Sequence, residues 1–292
     1  MSIIDAFAHP TTSFSLNLAS SASSAQNHQL VLPINPGLKL SGKEKVFVSS
    51  LQFNNSFYNI SSANSNNSFS YTYEGKTTTT STITFPDGNY TESQMNDYLQ
   101  SEMYSNGHYT LDSDGNPYYY IEIYADTYSN KVAIALLPLS VPSGGTDPQS
   151  FYANADASQK DKTLTFTIPS GNFATLTGFT ADTYPTTGMS AVAVVEESSS
   201  TPRMDWVSSI IMTCNICSSN SNTIFQDYIK SFALPSDATS FSVVDIPLYN
   251  TEIQSSCSGI FNQIIVGFYD QDNKPIVFTD RRHNITITIA YP

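Results

Sequence analysis

The chain has 292 residues, with 25 Asp and Glu against 12 Lys and Arg, for a formal net charge of −13. A chain of this length can form one large or two smaller domains, and about 75% of its unfolded surface can be buried, so no disulfide staples are needed. The acid excess, with Arg281–Arg282 the only obvious pair of clustered bases, argues against direct nucleic-acid binding and against docking to an anionic membrane.

The opening "MSIIDAFAHPTTSF" has neither a basic n-region nor an apolar h-region, so export by a signal peptide is not expected. No apolar run approaches the ~18 residues of a membrane helix. Charged residues make up 13% of the chain, and Ser, Thr and Asn supply much of its polarity.

Strand patterns dominate from the start. They fall at 12–18, 29–33, 44–53 and 68–73, separated by polar loops such as "SSANSNNS" at 61–68. Residues 81–100, "STITFPDGNYTESQMNDYLQ", then pass from a strand through a turn into a helix. Thr91 is its N-cap, and Gln94 three residues later completes a capping box. Met95, Tyr98, Leu99 and Met103 share one face of that helix. The following stretch predicts a strand, a tight turn at Asp114–Pro117, a strand, a turn near Ser129–Asn130, and another strand.

"TFTIPSGNF" at 165–173 repeats the strand–turn punctuation with no helix expected after it. Strands at 163–168, 191–195, 206–214 and 239–246 follow, with a second short helix at 222–232. "FNQIIVGFYDQDNKPIVF" predicts a hairpin of two strands about a turn at 270–275. The last strand alternates Ile285, Ile287, Ile289 and Tyr291 against Thr286 and Thr288. Turn spacing throughout suits a sandwich or barrel rather than βαβ units.

No catalytic, cofactor-binding or metal site is assigned, and no cofactor is expected. There is no nucleophile elbow, Walker loop, dinucleotide fingerprint or zincin motif. Cys214 and Cys217 form a C-x-x-C, but it lies in a β-rich run. The further ligands a zinc site would need are only Cys257 and the scattered His9, His28, His108 and His283. Buried, reduced thiols are expected, with Cys214 and Cys217 on opposite faces of one strand. Asp112, Asp114 and Asn116 have the flavour of a calcium loop, but the glycine comes too early and the twelfth-position Glu is missing, which leaves a hairpin turn. Sequons at Asn54, Asn59, Asn66, Asn89 and Asn284 are expected to be unmodified. The 18 tyrosines suit strands and subunit contacts better than a sugar site.

In chain order stand "SLQFNNSFYNIS", "TFPDGNYTESQMNDYLQ", "LTGF" at 176–179, "SSIIMTCNI" and the terminal "IIVGFYDQDNKPIVFTDRRHNITITI". This series resembles the minor capsid (penton) proteins of virophages and of Polinton/Maverick elements, over most of residues 40–292. "LTGF" departs slightly from the family's "LGF". The resemblance implies an all-β fold, a single jelly-roll sandwich with a β-rich insertion domain containing a short helix. It places the core at 1–73 plus 201–292 and the insertion at 74–200, where the helix would cover a sheet face. It further implies a non-enzymatic virion protein forming the homopentamer at the fivefold vertices, with the major capsid protein as neighbour and the insertion as candidate for host-receptor contact. The competing reading is a lectin-like or receptor-binding β-sandwich spike or adhesin.

Overall fold

The computed structural model describes residues 11–18, 28–74, 78–204, 206–218, 224–235, 242–246, 253–280 and 283–290. His9, Arg281–Arg282, Tyr291 and the first residues of the helix expected at 222–232 lie outside them. The chain divides into two compact units, residues 1–57 with 207–292, and residues 58–206.

The first unit begins with β1 (Thr11–Leu18), β2 (Gln29–Ser41) and β3 (Lys45–Asn54). The second unit holds β4 (Ser68–Glu74), β5 (Thr78–Thr84), α1 (Glu92–Ser105), β6 (Thr110–Leu111), β7 (Pro117–Tyr118), β8 (Ile121–Asp126) and β9 (Lys131–Leu136). It continues with β10 (Thr165–Ile168), α2 (Asn172–Thr177), β11 (Asp182–Tyr184) and β12 (Val194–Glu197). The chain then returns to the first unit with β13 (Ser209–Cys214), β14 (Cys217–Ser218), β15 (Tyr228–Ala233) and β16 (Val243–Asp245). That unit ends with β17 (Gln254–Ser256), β18 (Ser258–Asp270) and β19 (His283–Ala290).

In the first unit one sheet runs β1-β19-β3-β17-β14, with β16 also on β3, and the other runs β15-β13-β18-β2. All of these pairings are antiparallel. The short β16 and β17 pair with opposite ends of β3 and together fill one strand's place. Neighbours in sequence therefore alternate between sheets, which is the pairing of a jelly roll.

Period-2 patterning supplies the shared core: Ile285, Ile287 and Ile289 of β19 are fully buried, as are Ile210 and Met212 of β13 and Ile264 and Val266 of β18. Strand β3 buries Val46, Val48, Leu51 and Phe53, a sequence that breaks strict alternation. A register shift against β19 at Thr286/Ile287 leaves Ser49 as the extra residue, and this bulge returns Leu51 and Phe53 to the inner face. Rings then bridge the sheets: Phe53 lies 6.1 Å from Phe232 of β15, and Phe268 of β18 lies 5.6 Å from His283 of β19.

Three local expectations are corrected. Residues 228–233 form strand β15 instead of a helix; they complete the edge of the β13 sheet, where a shift at Met212/Thr213 makes Ile229 the extra residue. The turn at 270–275 is followed by a single bridge, Tyr269 to Pro275, and no second strand. Pro275 has no N–H for a ladder, and Ile276 and Phe278 instead turn into the core, where Phe278 meets Phe53 and Phe57. Finally, a helix does follow "TFTIPSGNF": α2 starts from Gly171 at φ 115° and ends on Gly178 at φ 77°.

The second unit contains a four-stranded sheet, β11-β10-β4-β5, a three-stranded sheet, β12-β9-β8, and the β6-β7 hairpin. Strand β4 falls here because it pairs with β5 along its whole length and with β10, so this unit starts at residue 58 rather than 74. Phe69, Phe85, Phe166 and Phe173 form its aromatic centre, with Phe69 and Phe166 stacked at 4.5 Å. Thr91 and Gln94 make the reciprocal capping box, and α1 buries Met95, Leu99 and Met103. Asn96 on α1 accepts from the Ile123 amide of β8 at 2.8 Å, so the helix satisfies a backbone donor of that sheet.

The "LTGF" box gains a physical meaning in Gly178. Its backbone is left-handed, and a Cβ there would sit 2.2 Å from the Ser200 carbonyl oxygen. Gly178→Ala is expected to cost about 2 kcal/mol or more, against about 1 kcal/mol for removing the cap with Thr91→Ala. Denaturant unfolding of the two variants checks this, and a neutral Gly178→Ala would contradict it.

Candidate functional site

Among the described residues no group of three or more His, Cys, Asp or Glu is arranged to hold a metal ion. His108 and His283 serve packing. His108 Nδ1 lies 2.8 Å from the Tyr71 hydroxyl, its ring stacks on Phe151 at 5.0 Å, and burial lowers its pKa. His283 is buried among Phe53, Phe268 and Phe278. No described helix is long and apolar enough to cross a membrane.

The thiols lie differently from the expectation of one continuous strand. β13 ends at Cys214, Asn215 and Ile216 make a turn, and β14 begins at Cys217, so the two side chains do not alternate across a sheet. Both are buried. A hydrogen bond with Cys214 that favours the protonated form, and then burial, push the Cys217 thiol up. Cys257 joins them: its amide donates to the Ile216 carbonyl at 2.8 Å and its Sγ lies 3.1 Å from the Cys217 carbonyl oxygen. Burial also raises the Cys257 thiol, but this residue is only half-buried. A thiol reagent on the native protein is therefore expected to modify Cys257 slowly and Cys214 and Cys217 only after unfolding. Stoichiometric zinc, or a Cys214–Cys217 disulfide in the protein as purified, would contradict this.

The calcium-like stretch is a self-contained turn. Asp112 accepts from the amides of Asp114 at 2.9 Å and Asn116 at 2.8 Å, so its carboxylate is spent on backbone donors. Those bonds, the Asn116 amide first, lower its pKa. Two sequon residues are likewise structural: Asn66 is fully buried and holds the Ser61 amide, and Asn59 bonds the Tyr90 and Met204 carbonyls.

What remains is surface, and its charge is unevenly divided. The first unit carries nine of the 25 acids and seven of the 12 bases; the second carries the other sixteen acids and five bases. The jelly-roll unit is thus nearly neutral and residues 58–206 hold most of the negative charge. On the first unit Ile224, Val243, Ile260 and Val277 are exposed.

The crossover between β2 and β3 and the strand ends beside it expose Lys39, Lys43 and Lys45, while the acid among them, Glu44, turns inward with 4% exposure. Glu44 accepts from the Ser41 and Gly42 amides at 3.0 Å, from Ser41 Oγ at 2.8 Å and from Ser256 Oγ at 2.6 Å. Burial alone would push its carboxyl up, but the Ser256 and Ser41 bonds outweigh it and hold the pKa at about 2. With the folded pKa depressed, this stabilisation is complete above the unfolded value of 4.5 and is lost as pH falls towards 2. Glu44→Gln is expected to cost about 2 kcal/mol at neutral pH, with the difference from the parent shrinking below pH ~4.5. An unchanged difference between about pH 7 and pH 3 in denaturant melts would contradict that account.

Strand order and sheet pairing define an all-β protein with a jelly-roll core. No family model matches the sequence, and no curated protein does. Among solved structures the chain is similar to the mavirus penton protein in its crystal structure, at 9% identity over 96% of this chain and 98% of that one, with a TM-score of 0.44. It is also similar to a chain of the Sputnik virophage cryo-EM structure, at 10% identity over 96% and 97% of the two chains, with a TM-score of 0.37.

Proposed function

We propose that this chain is a structural virion protein, the minor capsid or penton protein that forms a homopentamer at the fivefold vertices and abuts the major capsid protein. Its role on this reading is architectural and not enzymatic, and its location is the virion. The observation that carries the reading is the pairing β1-β19-β3-β17 against β15-β13-β18-β2, a jelly roll of the kind used by viral capsids and by lectins. The ordered motifs from "SLQFNNSFYNIS" to the terminal "NITITI" favour the capsid use. Residues 58–206 are then a module inserted between β3 and β13.

The charge division supports assembly through the core. Contacts between nearly neutral jelly rolls meet little electrostatic opposition, whereas the acid-rich units repel one another around a ring. Screening relieves that repulsion, since the Debye length falls from about 10 Å at 0.1 M salt to about 3 Å at 1 M. A pentamer at high protein concentration that persists or strengthens across a salt series is expected by light scattering. A trimer at every ionic strength would overturn the penton reading in favour of a spike.

A further inference from the structure

A cleft of about 520 Å³ opens beside the N-terminal half of α1, lined by Gly88, Asn89, Tyr90, Gln94, Asp97 and Tyr98. Its walls are fixed by hydrogen bonds and by ring packing. The Tyr90 hydroxyl donates to the Pro86 carbonyl at 2.9 Å and the Tyr98 hydroxyl to the Thr84 carbonyl at 3.1 Å. Both rings lean on buried Phe85, with centroids 5.3 and 5.1 Å away. Gly88 is held by paired backbone bonds to Ile60, and a Cβ on it would meet the Tyr90 ring at 2.8 Å. Gln94 is held by the capping box.

Asp97 stands exposed on the same helix and makes no hydrogen bond or ion pair with a described residue. The lining therefore presents two aromatic rings and one uncompensated carboxylate, with no basic side chain. It does so within a unit of sixteen acids and five bases. Aromatic faces attract a cation through their quadrupole, and a neighbouring carboxylate adds a Coulombic term. An anionic ligand would meet the acid excess without a partner, and a phosphocholine headgroup would bring its phosphate into the same field.

We propose that this cleft recognises an organic ammonium group, supplied by a lysine-type side chain of a partner protein. The site lies wholly within residues 58–206 and does not depend on the virion reading.

Titration of the full chain with tetramethylammonium, followed by saturation-transfer NMR, tests it. Saturable, weak binding is expected, matched by Nα-acetyl-trimethyllysine amide and absent for the neutral isostere 3,3-dimethyl-1-butanol. Asp97→Asn, an exposed and conservative change, should weaken tetramethylammonium about fivefold or more while leaving the thermal melt unchanged. Three results would overturn the proposal: equal binding of the neutral isostere, undiminished binding by Asp97→Asn, or no saturable binding of either cation. Co-flotation with phosphatidylcholine vesicles would overturn its assignment to a protein side chain.

Discussion

The first unit depends on a small latch where the chain leaves it. Ser56 is fully buried, and its carbonyl accepts from Thr279 Oγ1 at 2.7 Å and from the Thr279 amide at 3.2 Å. Its hydroxyl accepts from the Asp280 amide at 2.9 Å and lies 3.1 Å from the Asp280 carbonyl. Asn54 Nδ2 adds a 2.5 Å bond to the Asp280 carboxylate, and Phe57 meets Phe278 edge-on at 5.8 Å. These contacts tie the end of β3 to the segment that feeds β19, two strands paired in the same sheet. Buried polar groups satisfied in this way are costly to break, because each lost partner leaves a desolvated donor or acceptor. The jelly roll can therefore let the chain depart at residue 57 and return at 207 while its own sheets stay registered.

That arrangement separates two demands on one sequence. The core needs neutral, interdigitating faces, and it carries few charges, with Glu44 drawn inward by four neighbouring donors. The unit at 58–206 has its own aromatic centre around Phe69 and Phe166 and carries the acid excess. Within residues 58–206, Tyr71 and Tyr120 are fully buried, whereas Tyr90 and Tyr98 line a cleft.

Much of this was legible in the residues. The alternation in "NITITI" and the capping box at Thr91 and Gln94 are local patterns, and each appears where periodicity and side-chain chemistry put it. The failures share a cause, which is that tertiary contacts overrode local preference. Residues 228–233 have a mixed pattern, and the open edge of β13 makes them a strand. "SGNF" has no side-chain cap, so the helix after it is set by glycines at both ends and by burial of Phe173 and Leu176. The turn at Asn215–Ile216 carries no Gly or Pro to announce it, which hid the meeting of Cys214, Cys217 and Cys257. The cleft at Tyr90 and Tyr98 was hidden too, because its residues read only as a helix start.

The central claim is that the jelly roll closes on itself and that residues 58–206 are carried by it. Replacing 58–206 with a short Gly/Ser linker and following thermal unfolding by circular dichroism tests this most directly. The account predicts a soluble, β-rich product with a single cooperative transition. An aggregated or unfolded product, with no transition, would contradict it.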